Sequence, residues 1–290
     1  MRRILFVIPG LGFELRGFGV MLLLACFAAL SLTAWRARRE KLDPDVVIDL
    51  AAWLITGGFI GARVVYLVRH PGAARHFWDV FTFWQGGIVF YGCILGGLVG
   101  SLIYWARHPF PFRPMADAVA PSLALGSALG RLGCWFNGCC HGAPCDLPWA
   151  VRFPAGTQPW VRHVDAGLIP LDAPSSLAVH PTQLYAVLDG LFLLGLLTWY
   201  YPRRRRDGEV MALLMTSYPI TRFLIDCLRD DEGPVFAGLT LSQNISVALL
   251  ACGLITWSRL ARLPRGRYAD RVAAPAPGPS RAGVTALASR

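Results

Sequence analysis

The sequence predicts an all-α fold, a polytopic membrane protein with about seven transmembrane helices and a small periplasmic head segment. Three observations carry that expectation. Apolar types make up 54% of the 290 residues and charged types only 16%, where a soluble globular chain carries about 25% charge. The mean hydropathy is +0.46. The apolar residues gather into runs close to the roughly 20 residues that cross a bilayer as a helix, and basic residues mark the ends of those runs. This pattern excludes an ordinary soluble enzyme, a disordered protein and a coiled coil.

Taken in order, Phe18–Trp35 is an uncharged first span. Val46–Val68 follows, with Asp49 near its start and Arg63 near its end. Phe81–Ala106 is long and uncharged. Ala116–Gly138 is apolar but contains Asp117 and Arg131. Thr182–Tyr201 contains Asp189, Val210–Leu228 contains Arg222 and Asp226, and Val235–Ser258 is again uncharged. A cleaved leader is the competing reading of the first run. Its apolar start at Ile4 is broken by Glu14 and Arg16, and it ends against Arg36, Arg38 and Arg39 without a small-residue cleavage pattern, so a retained span is expected. Gly92, Gly96 and Gly100, and then Gly126 and Gly130, repeat every four residues. That spacing lets helix backbones approach closely in lipid.

Basic clusters set the expected direction. Arg36, Arg38, Arg39 and Lys41 follow span one, Arg107 and Arg113 span three, Arg203 to Arg206 span five, and Arg259, Arg262, Arg265 and Arg267 span seven. Positive charge is retained on the cytoplasmic side, which puts the N-terminus outside and the C-terminus in the cytoplasm. The expected organisation is a transmembrane domain over 1–262, with the head at about 139–180, and a disordered cytoplasmic tail over 263–290, rich in Pro, Ala, Gly and Arg. Basic residues outnumber acidic ones by 28 to 18. They lie between apolar runs, which is a membrane pattern and not a nucleic-acid footprint.

Charge inside a membrane is costly and marks functional sites. With this topology, Arg63, Arg131 and Arg222 lie toward the outer ends of spans two, four and six. Tyr91 on span three and His180 before span five reach the same level. Tyr218, Arg222, Asp226 and Arg229 are spaced to form one polar stripe. Its simplest content is an Arg222–Asp226 ladder, which is compatible with a functional role. The guanidinium fork matches phosphate oxygens, so Arg131 and Arg222 are candidates to hold a phospholipid phosphate. A transporter with a buried anion site is the competing class.

Cys134, Cys139, Cys140, His141 and Cys145 crowd the stretch GCWFNGCCHGAPC. Thiolates with a histidine are zinc-type ligands, but the spacing matches no strong zinc pattern. A disulfide in an oxidising periplasm and packed free thiols are the other readings, and no metal is expected.

WQGGIVFYGCILGGLVG from Trp84, DAVAPSLALGSALGRLG from Asp117, NGCCHG from Asn137, HPTQLY from His180 and YPITRFLIDCLR from Tyr218 together resemble prolipoprotein diacylglyceryl transferases. The resemblance implies seven transmembrane helices and transfer of a diacylglyceryl group from phosphatidylglycerol to the lipobox cysteine thiol of a prolipoprotein signal peptide, releasing glycerol-1-phosphate. The family's signature arginine falls on Arg131, its second essential arginine on Arg222 and a nearby tyrosine on Tyr218. The N-G asparagine falls on Asn137, the glycine closing that motif on Gly142, and the H-P histidine on His180. The chain also departs from the family pattern. Tyr91 stands where a histidine is common, Cys134 for an asparagine, Cys139 and Ala186 for glutamates, Asp226 for Glu and Phe18 for a tyrosine. The phosphatidylglycerol site is expected to comprise Arg63, Arg131, Asn137, Gly142, Tyr218 and Arg222. Arg131 and Arg222 would stabilise the leaving phosphate, His180 or His141 would serve as base, and Tyr91 would orient the head group. The reaction requires no cofactor. A related enzyme using the same lipid site on another acceptor, and a non-enzymatic lipid-binding or transport protein, are the alternatives.

Overall fold

A computed structural model describes residues 4–8, 13–70, 90–230 and 233–273. In chain order the elements are β1 (Ile4–Ile8), β2 (Phe13–Arg16), α1 (Gly17–Arg39), α2 (Pro44–Arg69), α3 (Phe90–Arg107), α4 (Phe112–Asn137), α5 (Gln158–Asp165), α6 (Thr182–Tyr200), α7 (Glu209–Asp226), β3 (Pro234–Phe236), β4 (Leu239–Thr240), α8 (Leu241–Ala261) and α9 (Tyr268–Ala273). Among the described residues, four segments are long and apolar enough to cross a membrane: Gly17–Arg39, Pro44–Val68, Thr182–Arg203 and Leu241–Ala261. Their outward faces are apolar: Leu23 is 72% exposed, Phe27 73% and Leu188 65%. A soluble protein would bury such side chains; lipid accepts them.

Local chemistry sets the helix ends. Asp43 caps α2, its Oδ1 accepting from the Asp45 N–H at 2.9 Å, with Pro44 in the first turn where a missing N–H costs nothing. Gly138 closes α4 in the left-handed region at φ 72°, a conformation glycine adopts freely. Thr240 and Gln243 form a reciprocal capping box at the start of α8. That box and the Ala237–Gly238 turn of positive φ explain why span seven begins at Leu241 and not at Val235. The β3–β4 pair takes up the preceding residues.

Packing follows the small residues in part. α2 packs on α3, α1 on α4, α4 on α6, and α7 on α8. A Cβ on Gly92 would lie 2.8 Å from the Ala62 Cα, and one on Gly96 2.7 Å from the Gly61 Cα, so the α2 and α3 backbones touch. Gly126 and Gly130 differ from the expectation. A Cβ on Gly126 would meet only Ala29 Cβ at 3.7 Å, and one on Gly130 nothing within 4 Å. The α4–α6 approach uses Gly190 instead, where a Cβ would come within 2.9 Å of Ala128 Cβ.

The basic clusters converge at one end. The Arg204 guanidinium is fully enclosed, 2.5 Å from Glu40 Oε2 and 3.3 Å from Asp117 Oδ2. Asp117 also accepts from the N–H groups of Gly208 (2.7 Å), Val210 (2.9 Å) and Met211 (3.0 Å). It is therefore the N-terminal cap of α7, supplied by α4, because Gly208 has no side chain to offer. Arg36 donates to Thr198 Oγ1 at 2.9 Å, and Arg206 to the Leu263 carbonyl at 2.9 Å. Residues 263–273 of the expected tail carry α9, whose Tyr268 N–H donates to Asp207 Oδ2 at 2.7 Å. The acceptor is 61 residues away, out of reach of local pattern. The rest of the expected tail, 274–290, lies outside the described residues.

Candidate active site

The opposite end is assembled from the last turns of α4 and α7, the first turn of α6, and the segment between α4 and α6. Arg222 on α7 is 9% exposed. Its Nη2 lies 2.8 Å from Asp226 Oδ1 and 3.4 Å from Ser242 Oγ on α8. Arg229 Nη1 shares the same Asp226 oxygen at 3.3 Å. The polar stripe read from residue spacing is therefore a ladder with one carboxylate oxygen between two guanidiniums. The Nη1 of Arg222 is buried and has no hydrogen-bond partner among the described residues. Arg131 on α4 is half-buried and within electrostatic reach of both Arg222 and Cys140. Asp189 on α6 reaches Thr221 and feels the Arg222 charge. Two guanidiniums within electrostatic reach of each other, one with a spare nitrogen, suit an oxyanion with several oxygens.

The segment after α4 is stitched between α6 and α7. The Gly142 N–H donates to the His180 carbonyl at 3.1 Å, and the Ala143 N–H to the Leu228 carbonyl at 2.9 Å. A Cβ on Gly142 would lie 2.6 Å from His180 Cβ, 2.7 Å from the Leu228 carbonyl and 2.9 Å from Thr182 Cγ2, so only glycine lets the strand pass. Asn137 ends α4, exposed, beside Cys139. Two residues that sequence reasoning passed over clamp this loop. Gln183 Nε2 donates to the Cys139 carbonyl and Thr182 Oγ1 to the Cys140 carbonyl, both at 2.8 Å. Gln183 is fully buried. A polar pair opening an apolar helix in HPTQLY was the signal available for them.

The two candidate imidazoles differ. His180 is half-buried. Its Nδ1 is 3.5 Å from the Tyr185 hydroxyl, and that hydroxyl in turn accepts from Trp149 Nε1 at 2.7 Å. His141 is fully enclosed, with Nδ1 3.0 Å from the Gly142 carbonyl and its ring 6.3 Å, centroid to centroid, from that of His163. Burial, and then the neighbouring His141, hold His163 below the ordinary histidine range. Arg63 is buried on α2 with its guanidinium carbon 5.3 Å from the Tyr66 ring. α2 packs chiefly on α3 and α1, away from the helices of Arg131 and Arg222. Tyr91 stands in the first turn of α3, and its side chain lies outside the described residues.

The fold and the site define a helical membrane protein with a double-arginine centre at one end, Arg222 buried and Arg131 half-buried. A family model described as prolipoprotein diacylglyceryl transferase matches residues 3–259. A phosphatidylglycerol–prolipoprotein diacylglyceryl transferase of Thermosynechococcus vestitus is 36% identical over 250 residues, covering 84% of this chain and 88% of the relative. The protein of the same name from Synechocystis sp. is 31% identical, covering 85% and 86%. That from Clostridium tetani is 29% identical, covering 89% and 97%. The chain belongs to the prolipoprotein diacylglyceryl transferase family. It is a membrane transferase of lipoprotein biosynthesis.

Proposed function

We propose that the protein transfers the diacylglyceryl group of phosphatidylglycerol to the lipobox cysteine of a prolipoprotein signal peptide, with Arg131 and Arg222 as the phosphate site. The observation that carries this reading is the buried, unpartnered Nη1 of Arg222, with Arg131 within electrostatic reach of that guanidinium. The acceptor thiolate attacks the lipid's glycerol carbon. A C–S bond forms, the C–O bond to phosphate breaks, and the electron pair leaves with glycerol-1-phosphate. The paired guanidiniums stabilise that leaving charge. The thiol proton needs an acceptor, because the thiolate is the nucleophile. His180 is the less enclosed imidazole and takes this role, while His141 holds the loop that carries Gly142. Asn137 flanks the head group, the role of orienting it falls to Tyr91 by the family pattern, and Arg63, on α2 away from this centre, has no part in the phosphate site. A cleft of about 420 Å³ between α4, α6, α7 and α8 reaches Tyr218 and is lined by Leu123, Leu193, Leu214 and Leu249, which suits acyl chains.

In this reading all seven long helices span a bacterial inner membrane. The arginine-rich end is cytoplasmic, the N-terminus is periplasmic, and residues 139–180 form the head above the site. The test is purified protein with phosphatidylglycerol and a lipobox peptide. A thioether product with stoichiometric glycerol-1-phosphate is expected. Lipid turnover without that product would mean another acceptor, and binding without turnover would mean a lipid-binding protein; either result overturns the proposal.

A further inference from the structure

Cys134, Cys139 and Cys140 play no part in the mechanism above, yet their Sγ atoms all lie within 4.8 Å of one another. The arrangement is built by the fold. Cys134 sits in the last turn of α4, three residues after Arg131. Gly138 turns the chain, and the Cys139 N–H returns to the Cys134 carbonyl at 3.2 Å. Cys140 is one of three described residues other than glycine with positive φ, at 59°. Such a conformation persists only where the surroundings impose it. Here Gln183 and Thr182 impose it, through their 2.8 Å bonds to the Cys139 and Cys140 carbonyls. Cys145, the fourth cysteine of the stretch, lies outside the group; its N–H pairs with the Ala178 carbonyl at 3.0 Å.

We infer that these three thiols form a binding site for one thiophilic cation of the Zn(II) or Cu(I) class. Metal–sulfur bonds of about 2.3 Å place trigonal or tetrahedral sulfurs roughly 4 Å apart, within the spacing the fold already provides. Two ligands would fit a disulfide as well; a third at the same spacing is what a cation uses. Arg131 and Arg229 lie within electrostatic reach of the Cys140 thiol. These same arginines offset the negative charge that three thiolates leave around a single cation. Binding releases the thiol protons to solvent and moves no electrons. Ligation depends on the thiols alone and stands or falls separately from the lipid reaction.

The test uses the full-length protein in detergent micelles, reduced and desalted without oxygen, and titrated with Zn(II) or with Cu(I) against a competing chelator. One equivalent should bind. Co(II) in place of Zn(II) should show a sulfur-to-metal charge-transfer band. Cys134→Ser, Cys139→Ser and Cys140→Ser should each weaken binding at least tenfold, while Cys145→Ser should leave it within twofold. Bound cation should also protect three thiols of the wild-type protein from alkylation, a readout that needs no variant. Absence of the band, unchanged affinity in the three variants, or a protein isolated two mass units light with two of these thiols already unreactive would overturn the site. The last result would identify a disulfide in its place.

Discussion

Arg222 has two simultaneous partners, the Asp226 carboxylate and the Ser242 hydroxyl, through one nitrogen, and that leaves the other nitrogen for an anion. Lysine at this position would keep the charge but lose the fork. Arg222→Lys and Arg131→Lys should therefore lower kcat/KM by about 100-fold or more, the scale seen when one preorganised donor to a developing oxyanion is removed, with membrane insertion unchanged. Near-normal turnover in either variant would make that arginine structural. A second residue-scale prediction concerns His163. Its pKa is held down in the fold by burial and by His141, with Arg162 opposing and Asp230 favouring its charge. A histidine in an unfolded chain titrates near 6.5. The neutral ring thus contributes stability that is complete above about pH 6.5 and is lost as pH falls toward the folded value. Protease cleavage of the 139–180 segment should accelerate between pH 7.5 and 5.5. His163→Gln should flatten that dependence; an unchanged profile would exclude His163 as its source.

At the scale of elements, the revealing contact is Asp117 at the start of α7. Three N–H groups and Arg204 depend on that one carboxylate. Asp117→Ala should cost about 2–4 kcal/mol, through unsatisfied buried donors and a weakened buried ion pair. The measurement is the melting temperature in micelles. Asp117→Asn, which keeps one carbonyl acceptor, should cost less. The α2–α3 pair gives a prediction of the same rank. Its backbones are in contact at Gly61, Gly92 and Gly96, so Gly96→Leu should separate the helices and lower the melting temperature. Gly130→Ala, facing open space, should leave it unchanged.

Among the described residues, buried charge clusters stand at two ends of the molecule. One holds Glu40, Asp117, Arg204, Asp207 and Glu209 with the ends of α1, α6 and α8; the other holds Arg131, Arg222, Asp226 and Arg229 beneath the 139–180 segment. A reporter fused after Ala273 should be active only in the cytoplasm, and one inserted at Gly167 only in the periplasm. The reverse pattern would turn the proposed site to the wrong membrane face. Much of this was legible from residue order. Spans two and five stand within a residue or two of the helices found, and span one starts one residue from α1 but stops four short of its end at Arg39, because hydropathy and basic flanks act locally. The Arg222–Asp226–Arg229 stripe was legible because helical periodicity decides it. The role of Asp117 was not, because a carboxylate inside an apolar run reads the same whether it binds substrate or caps a helix 91 residues away.

By itself the sequence determined the membrane class and the family, since each depends on composition, local pattern or ordered motifs. The tertiary structure decided the partners. It clamped Cys140 in a left-handed turn through Gln183 and Thr182 and gathered three thiols around one point. It also enclosed His141 while leaving His180 half-buried. These outcomes depend on distances between atoms far apart along the chain. Only the packing of α4, α6 and α7 against one another sets those distances.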